Sequence, residues 1–225
     1  MSQIIQIAGV RSIDEARMLA AAGATHIGLP LRLAVHAPDV GEAGAAAIVR
    51  GLPASVTCVL ITYLTDPAEA AALARTLGVG AVQLHGEMPP AAVRELRALA
   101  PGLALFKSLI VAPGNQAELL SLAAAFEPHV DAFLTDTLDP LSGAGGATGK
   151  THDWAVSRRI VEAVRRPVIL AGGLTPDNVR EAIAIVRPSG VDAHTGLEDA
   201  RGDKDPALVR RFVAEARAGF AALGR

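Results

Sequence analysis

The sequence predicts an α/β protein, a single (β/α)8 TIM barrel domain over residues 1–225. Short apolar runs alternate eight times with longer segments of helical period, a pattern typical of parallel strands covered by helices. With 225 residues and 51% hydrophobic side chains, the chain can bury one sizeable core. Glycine-rich turns follow the last three apolar runs, at the end of the barrel where enzymes of this fold bind their ligands.

Eight short apolar runs are predicted as strands, and each precedes a segment suited to a helix. In chain order they are Ile4 to Gly9, Thr25 to Leu29, Thr57 to Thr62, Ala81 to His85, Ala104 to Leu109, Ala132 to Asp136, Val168 to Ala171 and Val191 to His194. Alternation of strand and helix along the whole chain favours one parallel sheet closed on itself.

Capping residues predict the helix boundaries. A proline at the first helical position is typical of a start, and a glycine is typical of an end. These signals indicate helix starts at Asp66-Pro67, Met88-Pro89, Thr175-Pro176 and Asp205-Pro206, and place Gly23, Gly78 and Gly102 in the turns that end helices. The alanine-rich segments Asp14 to Ala22 and Ala68 to Thr76 have high helix propensity and pack closely on a sheet.

Composition and charge argue against several classes of function. The formal net charge is −2 and aromatic residues make up 3%, so neither a basic face nor a base-stacking platform for nucleic acid is expected. No apolar run is long enough for a bilayer, and Met1 to Gln6 lacks the basic start of a signal peptide, so we expect a cytoplasmic protein without membrane contact. Cys58 is the only cysteine, which excludes an internal disulfide and favours a core position.

Two long connections, residues 31–41 and 137–153, follow the second and sixth strands and would lie at the carboxyl end of the barrel. The second contains the glycine-rich stretch 145–151, while Gly172-Gly173 and Thr195-Gly196 directly follow the seventh and eighth strands. Glycines allow backbone N–H groups to approach an anion closely, so these turns together predict a phosphate site. A nucleotide P-loop is rejected because alanine stands at position 144, where that motif requires glycine.

Asp136 closes the sixth strand, so its carboxyl group would stand at the barrel mouth, where a general acid is useful. The alternative is a structural aspartate that caps the next turn or pairs with Lys107 or Lys150.

Three of the six histidines, His36, His85 and His194, fall at or just beyond strand ends and can face a ligand, whereas His26, His129 and His152 are interpreted as structural. The three strand-end histidines lack the local spacing of a metal motif, so no metal is expected.

An ordered set of motifs over nearly the whole chain resembles the phosphoribosylanthranilate isomerase family of ribulose-phosphate-binding barrels. The motifs are Ile7-Ala8-Gly9-Val10, Gln83-Leu84-His85-Gly86, residues 130–136 with 149–154, residues 170–179, Gly190-Val191-Asp192, residues 195–198 and Lys204-Asp205-Pro206. The resemblance implies an Amadori rearrangement of an aminoaldose phosphate in tryptophan biosynthesis, without a cofactor. It also implies Asp136 as the general acid. The candidate contacts to the substrate and its phosphate are Gly149, Lys150, Gly172, Gly173, Thr195, Gly196 and His85.

The chain departs from this family at two reactive positions. The family base is a cysteine in Lys-Ile-Cys-Gly, where this chain reads Gln6-Ile7-Ala8-Gly9. The family arginine that holds the anthranilate carboxylate is also missing, and Val35-His36-Ala37 stands in its loop, with Arg32 nearby but out of register. Because a methyl group cannot accept a proton, the hypothesis is that His194, His36 or both replace the lost base.

The partner expected in every case is a small phosphorylated sugar, bound by a monomer or a homodimer. Two alternatives to the isomerase stay open at this point. One is another sugar-phosphate epimerase, aldolase or lyase that uses His36, His194 and Asp136. The other is a non-catalytic protein that binds a phosphorylated sugar.

Overall fold

A computed structural model describes residues 3–33, 37–138 and 151–224 and contains a closed barrel of eight parallel strands in sequential order, with a helix after each strand. The strands are β1 (Ile4–Ala8), β2 (His26–Pro30), β3 (Thr57–Thr62), β4 (Ala81–Leu84), β5 (Ala104–Val111), β6 (Ala132–Thr137), β7 (Val168–Leu170) and β8 (Gly190–Ala193). The helices are α1 (Ile13–Ala22), α2 (Glu42–Gly51), α3 (Pro67–Leu77), α4 (Pro90–Leu99), α5 (Gln116–Phe126), α6 (Trp154–Ala163), α7 (Val179–Val186) and α8 (Pro206–Ala222). The predicted (β/α)8 fold is therefore confirmed.

Side chains alternate between two cores along every strand, as the two-residue period of a strand requires. One face of each strand packs against the helices in a large outer cluster that includes Leu60, Phe133 and Phe212. The other face fills the barrel interior with a smaller cluster that includes Phe106 and Leu134. This alternation decides which strand residues can reach the mouth of the barrel from inside.

The capping residues predicted most of the helix boundaries correctly. Asp66 and Asp205 accept hydrogen bonds from the first N–H groups of α3 and α8, and each is followed by a proline. Gly23 and Gly78 adopt the left-handed conformation, with φ of 101° and 77°, at the ends of α1 and α3.

One predicted helix start is wrong and another lies one residue early. The helix predicted at Thr175-Pro176 begins only at Val179, because the Thr175 hydroxyl accepts the Asp177 N–H and closes a separate turn first. Gly102 lies in the turn that follows the end of α4 at Leu99, as predicted. The start predicted at Met88-Pro89 lies one residue early, because α4 begins at Pro90 with Pro89 as its cap.

No helix among residues 3–33, 37–138 and 151–224 is both long and apolar enough to cross a membrane. Cys58 is buried among the apolar side chains between sheet and helices, as predicted.

Candidate active site

A layer of polar side chains lies above the apolar interior of the barrel. Gln6 of β1 donates from Nε2 to Gln83 Oε1 of β4 at 2.9 Å, and Gln83 Nε2 donates to Ser108 Oγ of β5 at 3.2 Å. These residues are buried, and they are connected across the barrel rather than along one strand. Their amide and hydroxyl groups form a hydrogen-bonded floor for anything bound at the carboxyl end.

Asp136 stands on the interior face of β6, one position before the strand ends, and is 6% exposed. The Thr137 N–H donates to its Oδ1 at 2.8 Å. Burial raises the pKa of Asp136 from 3.8 to about 7, with the Thr137 hydrogen bond acting in the opposite direction. A carboxyl group that is still partly protonated near neutral pH can serve as a general acid.

The alternative pairing of Asp136 with Lys107 is wrong. Lys107 points to the opposite face of the sheet, where its Nζ lies 5.4 Å from the centroid of the Phe126 ring. It donates to Gly86 O at 2.8 Å and Leu84 O at 3.4 Å, so it holds the turn after β4. Burial lowers the pKa of Lys107 to about 8.

Asp192 is a second buried carboxylate, which the sequence analysis did not assign a chemical role. It occupies an interior position of β8, pairs in register with Gln6, and has an Oδ1 atom without a hydrogen-bond partner. Burial and the charge of Asp136 raise the pKa of Asp192 to about 7. The available signal was its position in the strand, since an interior carboxylate near the end of an apolar strand has no packing role.

His194 directly follows β8 and turns its ring over the end of β1. Its Nε2 lies 1.9 Å from where a Cβ on Gly9 would stand, so the ring occupies space that only glycine leaves free. Gly9 follows Ala8, the last residue of β1, whose side chain faces the barrel interior. The imidazole therefore stands beside the end of β1, next to Ala8.

Acidic and basic side chains hold this imidazole in place. His194 Nε2 lies 3.3 Å from Glu198 Oε1 and 3.9 Å from Asp39 Oδ2. The fully buried Lys204 ammonium donates to the same Glu198 oxygen at 2.6 Å and to the His194 carbonyl at 3.2 Å. Burial and the Lys204 charge lower the pKa of His194, whereas Asp39 and Glu198 act to raise it. The neutral imidazole, which can accept a proton, is thus favoured.

The turns predicted to bind phosphate lie together after β7 and β8. Gly172 and Gly173 have positive φ values of 87° and 62°, and Thr195–Leu197 forms a single 3-10 turn. A Cβ on Gly196 would lie 2.2 Å from Leu174 O, so the two turns pack backbone to backbone. Two adjacent glycine turns at the ends of the seventh and eighth strands are where barrels of this fold commonly bind phosphate.

His85 lies elsewhere on the rim, because it follows β4, on the opposite side of the barrel from β8. Its Nδ1 is 2.9 Å from Ser108 Oγ, and its ring stands 5.0 Å from the Tyr63 ring. Three other predicted site residues, His36, Gly149 and Lys150, lie outside the described residues. Arg32 pairs at the surface with Glu42 and Glu69 and is 49% exposed.

The structure does not bring the strand-end histidines together as metal ligands. His194 follows β8 and His85 follows β4, and within residues 3–33, 37–138 and 151–224 no group of three His, Cys, Asp or Glu side chains has the geometry to hold a metal ion.

A closed (β/α)8 barrel with buried carboxylates, a tethered imidazole and paired glycine turns at its carboxyl rim is the architecture of a barrel enzyme. Comparison with known protein families identifies the family to which this chain belongs. Residues 5–215 match the model of N-(5'phosphoribosyl)anthranilate (PRA) isomerase, and the chain belongs to this family.

Relatives and solved structures agree with this assignment. N-(5'-phosphoribosyl)anthranilate isomerase 2 of Methanosarcina mazei is 41% identical over 96% of this chain and 95% of its own length. The crystal structure of the Thermotoga maritima phosphoribosyl anthranilate isomerase superposes with a TM-score of 0.82 at 27% identity, covering 96% of this chain and all of that one. A phosphoribosyl anthranilate isomerase in complex with reduced 1-(o-carboxyphenylamino)-1-deoxyribulose 5-phosphate gives a TM-score of 0.80 at 25% identity, with the same coverage.

Proposed function

We propose that this enzyme converts N-(5'-phosphoribosyl)anthranilate into 1-(o-carboxyphenylamino)-1-deoxyribulose 5-phosphate, a cofactor-independent step of tryptophan biosynthesis in the cytoplasm. The observation that carries this proposal is that Asp136 and His194 lie at the same end of the barrel. One is a buried carboxyl group with a raised pKa, the other is a tethered imidazole with a lowered pKa, and both lie at the carboxyl end of the barrel. Environments that move two titratable groups in these directions suit an acid and a base working together near neutral pH.

The first chemical step opens the sugar ring. Asp136 donates its proton to the furanose oxygen, the C1–O bond breaks, and the aglycone nitrogen lone pair forms the C1=N bond of a Schiff base. The resulting Asp136 carboxylate keeps its hydrogen bond from the Thr137 N–H, which stabilises the charge left behind. A carboxyl group with a pKa of about 7 is both available and acidic enough for this transfer.

The second step removes the C2 proton. His194 accepts this proton, the C2–H electrons form a C1=C2 enolamine, and the C1=N electrons return to nitrogen. The imidazolium that forms is stabilised by Glu198, 3.3 Å from Nε2, and by Asp39. Tautomerisation of the enolamine then gives the 2-ketose, so proton uptake and release balance over the cycle.

The phosphate is proposed to bind at the turns formed by Gly172, Gly173, Thr195 and Gly196, together with Gly149 and Lys150 of the preceding loop. A dianion held by backbone N–H groups fixes the sugar over the interior carboxylates without a metal or other cofactor. All these residues come from one chain, so either a monomer or a homodimer can carry the site.

Growth of a tryptophan auxotroph that lacks this isomerase tests the proposal. The wild-type chain should restore growth without tryptophan, and Asp136→Asn, which keeps the shape of the side chain, should not. Purified protein should convert the substrate to the ketose, as detected by chromatography. Absence of both rescue and turnover with folded wild-type protein would refute the proposal.

A second candidate is isomerisation of a related aminoaldose phosphate whose aglycone carries no carboxylate. It is favoured by the acidic surroundings of His194, because Asp39 and Glu198 lie beside the imidazole and would repel an anionic aglycone. Turnover of a matched pair of substrates, the anthranilate and the aniline analogue, separates the two. A higher kcat/KM for the aniline analogue would support the second candidate.

A further inference from the structure

A chain of hydrogen bonds links β6 to the start of α6 on the outer side of the barrel. His152 Nδ1 lies 2.9 Å from Thr137 Oγ1, and His152 Nε2 lies 2.6 Å from Ser157 Oγ. Ser157 Oγ in turn donates to Thr135 Oγ1 at 2.9 Å. The chain therefore begins and ends on the same strand, and we call these four residues the β6 clasp.

The clasp lies on the outer face of β6, opposite the face from which Asp136 projects. Thr135 and Thr137 flank Asp136 in sequence and, by the alternation of β6, point away from the barrel interior into which Asp136 projects. Thr137 is held at two points, since its hydroxyl contacts His152 and its N–H donates to the Asp136 carboxylate. Movement of Thr137 would therefore move a hydrogen-bond donor of the acid itself.

The donors in the clasp can be assigned in order. Ser157 uses its proton toward Thr135, so its oxygen accepts from His152 Nε2–H. His152 Nδ1 is then an acceptor, and the Thr137 hydroxyl donates to it. Burial lowers the pKa of His152 to about 4, which favours this neutral tautomer, and Asp153 acts weakly in the other direction.

The space next to the clasp is filled. A Cβ on Gly172 would lie 2.1 Å from Thr137 Oγ1 and 3.1 Å from His152 Nδ1, so the turn after β7 packs directly against it. Ser157 and Thr135 are completely buried, which leaves their hydroxyl groups no water to replace a lost partner. The clasp is thus rigid, and it touches both the strand of the acid and the proposed phosphate turns.

We infer that His152 and Ser157 are positioning residues, which fix the end of β6 through Thr135 and Thr137 and so aim the Asp136 carboxyl group at its substrate. The inference rests on the proposed function in one respect, the role of Asp136 as the acid. A histidine interpreted from sequence as merely structural thereby acquires a part in the reaction without touching the substrate.

Two pairs of variants test the inference. Ser157→Ala removes the central hydroxyl, and Ser121→Ala, which removes an exposed serine hydroxyl of α5, is its matched control. Thr137→Val removes the hydroxyl that contacts His152 while keeping the branched shape, and Thr137→Ser restores it. Should Ser157→Ala fail to fold, the Thr137 pair decides the question.

In steady-state kinetics, Ser157→Ala and Thr137→Val should lower kcat between about tenfold and 10²-fold with KM within twofold, because misplacing a catalytic group weakens the chemical step more than binding. Thr137→Ser should recover most of the loss, and Ser121→Ala should behave as wild type. Wild-type kcat in folded Ser157→Ala and Thr137→Val would overturn the inference.

A second readout does not depend on turnover. Carbon-13 NMR of aspartate carboxyl groups, with Asp136→Asn for assignment, gives the pKa of Asp136 directly. A loosened clasp moves the Thr137 N–H away from the carboxylate, and because this hydrogen bond lowers the pKa of Asp136, that pKa should rise in Ser157→Ala and stay constant in Ser121→Ala. An unchanged or lowered pKa would overturn the positioning role. If wild type lacks turnover, the proposed function fails, and this measurement still decides the role of the clasp.

Discussion

The sharpest test that the structure offers moves the proposed catalytic base from residue 194 to the neighbouring residue 8. His194→Ala removes the imidazole, and Ala8→Cys in the same chain places a thiol where the family resemblance implies a catalytic cysteine. Ala8 faces the barrel interior, so a thiol at this position would lie inside the barrel, at the end of the strand that the His194 ring covers. Because the His194 ring lies over Gly9, removal of the imidazole also clears the space above residue 8.

The expected magnitude follows from what a general base contributes. His194→Ala should lower kcat by about 10²–10⁴, equivalent to roughly 3–5 kcal/mol of barrier, with a small effect on KM. Ala8→Cys in the His194→Ala background should recover at least about tenfold of that loss, more at pH 8 than at pH 6, since the thiolate is the proton acceptor.

Initial rates of ketose formation, with fold checked by circular dichroism, provide the assay. His129→Ala, which removes a histidine far from the carboxyl rim, serves as the matched control and should retain full turnover. Wild-type kcat in His194→Ala would refute the assignment of the base. Failure of the thiol to recover any activity would show that the two positions do not share a reacting proton.

Three further predictions concern stability and binding. Asp136→Asn should abolish turnover and raise the free energy of unfolding by up to about 4 kcal/mol at pH 8, but hardly change it at pH 4. Because the pKa of Asp136 is raised in the folded state, the wild-type protein loses stability as pH rises from about 4 to 7, and the variant does not. Urea denaturation at both pH values measures the difference. Gly196→Ala should raise KM for the phosphorylated substrate at least about tenfold, because its Cβ would meet backbone at 2.2 Å, whereas Gly102→Ala, with open space around it, should not. Lys204→Met should destabilise the fold by about 3–5 kcal/mol in chemical denaturation, because it leaves Glu198 without its buried partner, and Glu198→Gln in the same chain should restore part of the loss.

The barrel could be predicted from sequence because its signals are local. Each strand is a short apolar run, aspartate-proline caps fix the starts of α3 and α8, and left-handed glycines end α1 and α3, all through contacts within a few residues. The helix start predicted at Thr175-Pro176 was wrong because this signal is also local. Two neighbouring turns can share one capping signal, and only packing decides which of them becomes a helix.

The candidate site was predictable only where a residue lies near the end of its strand or directly follows it. Asp136 and His194 were singled out because the carboxyl ends of all barrel strands meet at one rim. Asp192 was missed because its chemistry comes from burial and from the charge of Asp136, two strands away in the sheet. His152 was interpreted as structural because its contacts with Thr137 and Ser157 depend on how α6 packs on β6.

Transfer of the C2 proton is the most direct test of the account. Substrate deuterated at C2, incubated with the wild-type enzyme in ordinary water, should give a ketose phosphate that has lost the label to solvent, with a primary isotope effect on kcat if this step limits turnover. His194→Ala and Asp136→Asn should leave the labelled substrate unchanged over the same time. If the substrate stays unconverted and keeps its deuterium at C2 after prolonged incubation with folded wild-type enzyme, the account is contradicted.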